Sequence, residues 1–213
     1  DLRTPLTAIR AAADALAQDG RDGALVTTIR DQAQRLARFF DDLIEITRIE
    51  SGALAVRAEP IDLTDAVASA VHDNRGALVG RPIELDVPPN LPLVRADPRL
   101  LGHILINLLD NAAKFGTAGT PIRFEGQRVA DGVRLSVIDC GPGLPPGMET
   151  RVFDRFQRLE GSDRTGGTGL GLAIVKGFAQ AMQLTVSADN RDDEPGARFS
   201  ILFPAASLLD EPS

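Results

Sequence analysis

Apolar residues recur at alternating spacings of four and three from Leu2 through Leu6, Ile9 and Ala13 to Leu16. That spacing keeps one side of a helix apolar. The turn-forming pairs Asp19-Gly20 and Asp22-Gly23 interrupt it, and it resumes with Leu25, Ile29, Leu36, Phe39, Leu43 and Ile46. Residues 2–18 and 24–50 therefore read as an antiparallel helical hairpin. Two helices cannot bury both stripes by themselves. The long heptad-like spacing with charged flanks is typical of self-association, so the expected completion is a second copy of the chain, a dimeric four-helix bundle. The alternative lays the hairpin on the rest of the chain. Pro5 cannot donate to the carbonyl of Asp1, although proline is also at home in a helix's first turn.

The period then changes. Ser51-Gly52 breaks the helix, and residues 53–61 read as a linker. Asp62 is placed to cap a helix over 63–78 with Leu63, Val67, Ala70 and Val71 inward. Ile83–Val87 and Leu93–Ala96 read as strands. Asp97-Pro98, a capping carboxylate followed by proline, predicts a helix over 98–115. Pro121–Arg128 and Val133–Ile138 flank Ala130-Asp131-Gly132 as a hairpin. Gly169–Met182 reads as a helix, and Leu184–Ala188 with Ala197–Phe203 as a closing strand pair. The expected fold is α+β: a hairpin over 1–52, a linker, a mixed unit over 62–206 and a polar tail over 207–213.

Two segments do not fit a packing role. In the helix at 98–115, Leu101, Ile104, Leu105, Leu108 and Ala112 form the apolar side, while His103, Asn107, Asn111 and Lys114 share one polar stripe. Asparagine is a poor helix former. Amide oxygens can ligate a hard cation, and a lysine can meet phosphate. From Asp139 to Leu172, two glycine clusters, D-C-G-P-G and G-G-T-G-L-G, flank an amphipathic V-F-D-R-F and a polar run. Glycine lets backbone N–H groups approach a polyanion closely, and the second cluster runs into a helical pattern whose N-terminus suits an anion. Asp139 sits at a predicted strand end, where its carboxylate can accept from an exocyclic amine such as adenine's. A solvated stripe and a turn aspartate are the plain alternatives; together with the glycine clusters the segments read as two halves of a nucleotide site.

Composition narrows the classes. The 213 residues are 43% hydrophobic and 25% charged, with a net charge of −7. That balance disfavours nucleic acid or an anionic membrane as the main partner. Cys140 is the single cysteine, so no internal disulfide forms, and a reducing compartment fits. No apolar run is long enough to span a bilayer, and no signal peptide is visible. The chain opens on Asp1 inside a helical pattern, which reads as a fragment of a longer protein. There is no P-loop, G-T-G-L-G follows no strand as a Rossmann fingerprint would, no His/Cys cluster has zinc spacing, and neither His72 nor His103 adjoins a nucleophile motif.

In order and spacing, the motifs resemble the catalytic core of bacterial two-component sensor histidine kinases along nearly the whole chain. D-L-R-T-P-L at Asp1–Leu6 is similar to the phosphoacceptor motif H-D-L-R-T-P-L without its histidine. N-L-L-D-N-A-A-K from Asn107 to Lys114 resembles the N box, Asp139, Gly141 and Gly143 the first glycine box, Phe153 and Phe156 the F box, and Gly167, Gly169 and Gly171 the second glycine box. Gly196-Ala197-Arg198-Phe199 resembles the last glycine motif. L-I-N-L-L-D-N-A-A-K and G-P-G-L-P-P-G are most similar to the KdpD-type potassium-responsive kinases. Met182-Gln183-Leu184 departs from the His-Gly-Gly turn common there, and Cys140 stands where a polar residue is frequent.

The resemblance implies a dimerising, phosphotransferring hairpin joined to an α/β-sandwich ATP-binding domain of the GHKL/Bergerat type. It implies ATP and Mg²⁺, with Asn107 and Asn111 toward the metal and phosphate, Lys114 on the phosphates and Asp139 on the adenine amine. Gly141, Gly143, Phe153 and Phe156 would line the nucleotide. A lid over about 157–168 would close through Gly167, Thr168, Gly169, Leu170 and Gly171. Asp1 would orient a histidine just before it and take its proton; Thr4 is the position tied to dephosphorylating the partner. The partners implied are a second protomer and a response-regulator receiver domain, with no nucleic acid and no membrane contact by this segment. The location implied is cytoplasmic, as part of an inner-membrane sensor. Other readings are a hydrolytic ATPase of the same wider fold and a degenerate kinase that acts only as a nucleotide-binding scaffold.

Overall fold

A computed structural model describes residues 23–52, 54–157, 169–191 and 194–209. The chain divides into two compact units, Asp1–Ser51 and Gly52–Ser213. In the first, α1 runs from Gly23 to Glu50 as the periodicity predicts. Ala33 and Ile46 are buried, but Ile29, Leu36 and Leu43 remain 42%, 45% and 40% exposed. These three lie seven residues apart, so they form one apolar ridge. The expected helix over 2–18, Pro5 and most of the turn at 19–23 lie outside the described residues.

The second unit contains a five-stranded sheet in the order β2-β4-β5-β7-β6, formed by Ile83–Asp86, Ile122–Val129, Gly132–Ile138, Ala197–Pro204 and Thr185–Asn190. β2 and β4 run parallel; the other pairs are antiparallel. The hairpin turn falls at Ala130-Asp131, with Val129 opposite Gly132. Phe124 on β4, Leu135 and Val137 on β5, and Ile201 and Phe203 on β7 alternate onto one buried face. Beside this sheet lie helices α2 (Leu63–Asp73), α3 (Pro98–Phe115) and α4 (Gly171–Ala181). The central helix α3 packs against both other helices and strands β4 and β5, burying Leu101, Ile104, Leu105, Leu108 and Ala112.

A second, three-stranded sheet, β1-β3-β8, corrects two expectations. Glu59–Ile61, read as linker, is β1 and pairs with β3 (Leu93–Ala96). Leu208–Leu209, read as loose tail, is β8 on the other side of β3. Both segments are too short to show a period, and only pairing with β3 makes them strands. Helix α2 ends at Asp73, short of the predicted 78. Asn74 caps it there and donates its side-chain amide to Asp110 on α3.

Asp97 begins α3 as its motif predicts, accepting from the N–H groups of Arg99 and Leu100. It also accepts from Arg57 N–H at 2.8 Å and from the Arg99 guanidinium at 3.0 Å. Burial pushes its carboxyl up, but those hydrogen bonds outweigh burial and hold it below the ordinary aspartate range. At the Met182-Gln183-Leu184 turn, Gln183 takes a left-handed φ of 60°. A non-glycine residue therefore occupies a conformation that suits glycine.

Candidate nucleotide site

The polar stripe of α3 meets the N-terminus of α4 at Asn107. His103 is exposed, with its ring edge-on to Phe178 at 5.9 Å. Its carbonyl accepts from Asn107 Nδ2 at 2.9 Å, which turns Asn107 Oδ1 toward Gly171. A Cβ on Gly171 would stand 2.6 Å from that oxygen. Glycine at this position thus makes room for the asparagine amide at a helix start, where N–H groups lack intrahelical partners. Asn111 is half-buried, and Lys114 is exposed in the last turn of α3.

Asp139 follows β5 and is buried. Its Oδ1 accepts from Gly141 N–H at 2.8 Å and Ala197 N–H at 3.3 Å. Burial raises its carboxyl above the ordinary range; the two N–H groups and the charges of Arg81 and Arg191 pull it back without cancelling the rise. The glycines around it are set by space. A Cβ on Gly141 would lie 2.5 Å from Phe115 O, and one on Gly196 2.1 Å from Asp139 O. Gly143 has a left-handed φ of 79°, and a Cβ there would meet Asn190 Oδ1 at 2.6 Å.

Sequence reasoning missed Asn190. Its side chain accepts from Leu144 N–H at 2.6 Å and donates to Leu144 O at 2.9 Å, so it pairs with the loop like a short strand. Next to it, Arg191 donates to Cys140 Sγ at 3.3 Å and pairs with Glu194 at 3.1 Å. Nothing local marks either residue, because both look like ordinary turn residues after a strand. Only the β6–β7 pairing carries them to the Asp139–Leu144 loop.

The paired phenylalanines separate. Phe153 is buried and stands edge-on to Phe199 at 6.4 Å. Phe156 is 62% exposed, with a left-handed φ of 57°, and donates its N–H to Gly169 O at 2.9 Å. Gly169, at φ 70°, has no room for a Cβ beyond 3.0 Å from Phe156. Phe156 and Gly169 therefore pair directly, from opposite sides of residues 158–168 in the sequence. Leu170 is buried just before α4. Asp1, Thr4, Gly167 and Thr168 lie outside the described residues. The structure thus brings Asn107 beside Gly171, and Asp139 beside Gly141 and the end of α3, while Phe153 supports the region from the core.

A family model described as Histidine kinase-, DNA gyrase B-, and HSP90-like ATPase matches residues 96–207, more than half of the 213. The chain belongs to this family. The His Kinase A (phospho-acceptor) domain model matches residues 1–52, so the chain carries the domain pair of a sensor histidine kinase. The sensor protein KdpD of Escherichia coli (strain K12) is 36% identical over 209 residues, which cover 96% of this chain and 23% of that protein. The chain spans about a quarter of the length of the KdpD relatives it matches. Among solved structures, the mycobacterial sensor histidine kinase MprB matches with a TM-score of 0.62 at 32% identity, covering 70% of this chain and 97% of that one. Full-length ShkA in complex with AMPPNP matches with a TM-score of 0.77 at 29% identity, covering 96% and 44%. Within this kinase core, no helix among the described residues is long and apolar enough to cross a membrane.

Proposed function

We propose that this chain is the ATP-dependent core of a two-component sensor kinase that phosphorylates a histidine next to Asp1 and passes the phosphoryl group to an aspartate of a response regulator. The observation that carries the reading is that α3 meets the α4 N-terminus at Asn107 and Gly171 and meets the buried Asp139 loop at its last turn, in a family of ATPases. Asp139 accepts from the adenine amine, with the backbone of Gly141 and Gly143 close by. Phe153 and Phe156 border the nucleotide, and the Gly167–Gly171 box closes on the phosphates. Lys114 meets the phosphates, where its charge offsets theirs.

Asn107 and Asn111 suit Mg²⁺ in donor chemistry, since both offer neutral oxygens and Asn107 has its amide nitrogen engaged by His103 O. When bound, the ion neutralises phosphate charge as the leaving oxygen develops it. The protein's own share is positioning: the γ-phosphoryl is held in line with the histidine nitrogen. Asp1 orients that histidine and takes its proton, and Thr4 serves the reverse, dephosphorylating activity. The exposed Ile29–Leu36–Leu43 ridge supports a homodimer formed through the helical hairpin. The reading places this segment in the cytoplasmic part of a membrane-anchored sensor.

A hydrolytic ATPase needs a carboxylate base at the start of the N box. Asn107 stands there, and the nearby Asp110 accepts from Asn74. A scaffold without transfer is separated by experiment. The chain extended upstream through the histidine is incubated with labelled ATP and Mg²⁺. Acid-labile, base-stable label on that histidine is expected, along with transfer to a receiver domain. Phosphate release without labelled protein would sink the proposal.

A further inference from the structure

Arg81 belongs to none of the boxes, yet it grips the site from behind. Its guanidinium donates to three backbone carbonyls: Ala113 at 2.6 Å, Gly116 at 2.8 Å and Thr117 at 2.9 Å. These lie in and just beyond the last turn of α3, where carbonyls have no helical partner and the helix dipole favours a cation. Gly116 shows that this is a special end. Its φ of −65° and ψ of 148° are open to any residue, so it is not a left-handed glycine cap. A Cβ there would instead stand 2.6 Å from Ala112 O, 3.2 Å from the Arg81 guanidinium and 3.5 Å from Asp139 Cβ. Arg81, Gly116 and Asp139 are therefore in one contiguous stack. The far side of the same turn is tied to the glycine loop, since Thr117 N–H donates to Cys140 O at 3.2 Å and Gly141 lies against Phe115 O.

We propose that Arg81 is a positioning residue for the adenine nucleotide: it fixes the turn that carries Lys114 and packs against the Asp139–Gly141 loop, and sets a positive charge near the Asp139 carboxylate. The proposal rests on the reading of Asp139 as the adenine contact. Two charged side chains bear on Asp139, Arg81 and Arg191, and the other titratable groups on the neighbouring elements are Lys114, Glu194 and Cys140. Arg81 reaches Asp139 from the loop after α2, and Lys114 stands in the last turn of α3. Arg191 and its partner Glu194 come from the β6–β7 turn, and the Cys140 thiol adjoins it. Arg191 divides its charge between Glu194 and Cys140. Among the described residues, Arg81 hydrogen-bonds only carbonyls, and the carboxylate its charge acts on is Asp139. Burial opposes the ionised form of Asp139, and Arg81 is the leading charge that counters it. Arg81 thus acts through Asp139 and Lys114 and does not need to touch the nucleotide.

The test uses the full chain, with ADP as the probe, titrated calorimetrically from neutral pH down to about pH 5, and the Asp139 carboxyl-carbon NMR resonance followed without ligand over the acid range. Arg81→Met should weaken ADP binding about tenfold at neutral pH, displace the acid loss of affinity to higher pH, and raise the Asp139 midpoint. Arg81→Lys, which keeps the charge without the fork, should weaken binding less and leave both the acid limb and the Asp139 midpoint in place. Equal weakening by Arg81→Met at every pH, with the Asp139 midpoint unmoved, would mean only a structural prop and overturn the proposal. Unchanged binding in Arg81→Met, or a displaced limb in Arg81→Lys, overturns it as well. Should Arg81→Met not fold, the Arg81→Lys arm decides. Asp139→Asn separates the two levels. If it binds ADP as tightly as the wild type, or if the wild type does not bind ADP, the nucleotide reading itself fails.

Discussion

Asp97 and Asp139 are both buried aspartates, and they are tuned in opposite directions. Asp97 receives enough hydrogen bonds to overcome desolvation, so its carboxylate stabilises the fold. Asp139 does not, so its ionised form is disfavoured by folding. The linkage follows. Asp97's contribution is present above its unfolded pKa and is lost as pH falls through its depressed folded value. Asp139's favours folding at acid pH and is lost as pH rises through its raised folded value. Asp97→Ala removes a helix cap, about 1 kcal/mol, and the part-buried hydrogen bond from Arg57 N–H, about 0.5–1.5 kcal/mol. A loss of about 1.5–2.5 kcal/mol is expected in urea unfolding at neutral pH, narrowing toward strongly acid pH. A gap that stays constant on acidification would contradict the assignment. The capping role was legible from Asp97-Pro98. The hold on Arg57, forty residues away, was not, because it depends on where β1 pairs.

At the scale of elements, α3 and α4 meet at Asn107 and Gly171, within the proposed nucleotide site. Gly171 opens α4, where alanine would normally be favoured by up to about 1 kcal/mol. Gly171→Ala should therefore leave thermal stability at or slightly above the wild type. Its Cβ should displace the Asn107 amide and lower Mg-ATP affinity at least tenfold, a change of about 1.4 kcal/mol. Wild-type affinity in that variant would remove Asn107 from the phosphate side. The sequence marked Gly171 as part of a cradle, but the structure assigns it a different cause: it accommodates a side chain of the neighbouring helix. Gly196 follows the same rule, since a Cβ there would strike the backbone of Asp139.

For the whole molecule, the two units divide the work: one carries an exposed apolar ridge, the other the nucleotide site. Leu36→Glu places a charge in the middle of the ridge, and burying it unpaired costs several kcal/mol. Sedimentation should show self-association weakened at least about tenfold, while ADP affinity stays at its wild-type value. A dimer that survives the change would move the interface elsewhere, and a lost ADP affinity would contradict the division into independent units.

Local physics sufficed for much of this protein. The period of apolar residues defined α1 and α3, the Asp97-Pro98 pair set a helix start, and the turn residues at 130–131 closed a hairpin at the right place. These are interactions within a few residues of each other, so they are written in the order of the chain. Motif order carried the family for the same reason. What the sequence left open depends on long-range pairing. Glu59–Ile61 and Leu208–Leu209 become strands only beside β3, and Asn190 reaches the glycine loop only through the β6–β7 register. Arg81 finds the end of α3 only when the loop after α2 folds back over it. Such contacts join residues more than thirty positions apart, and no local period or propensity encodes them.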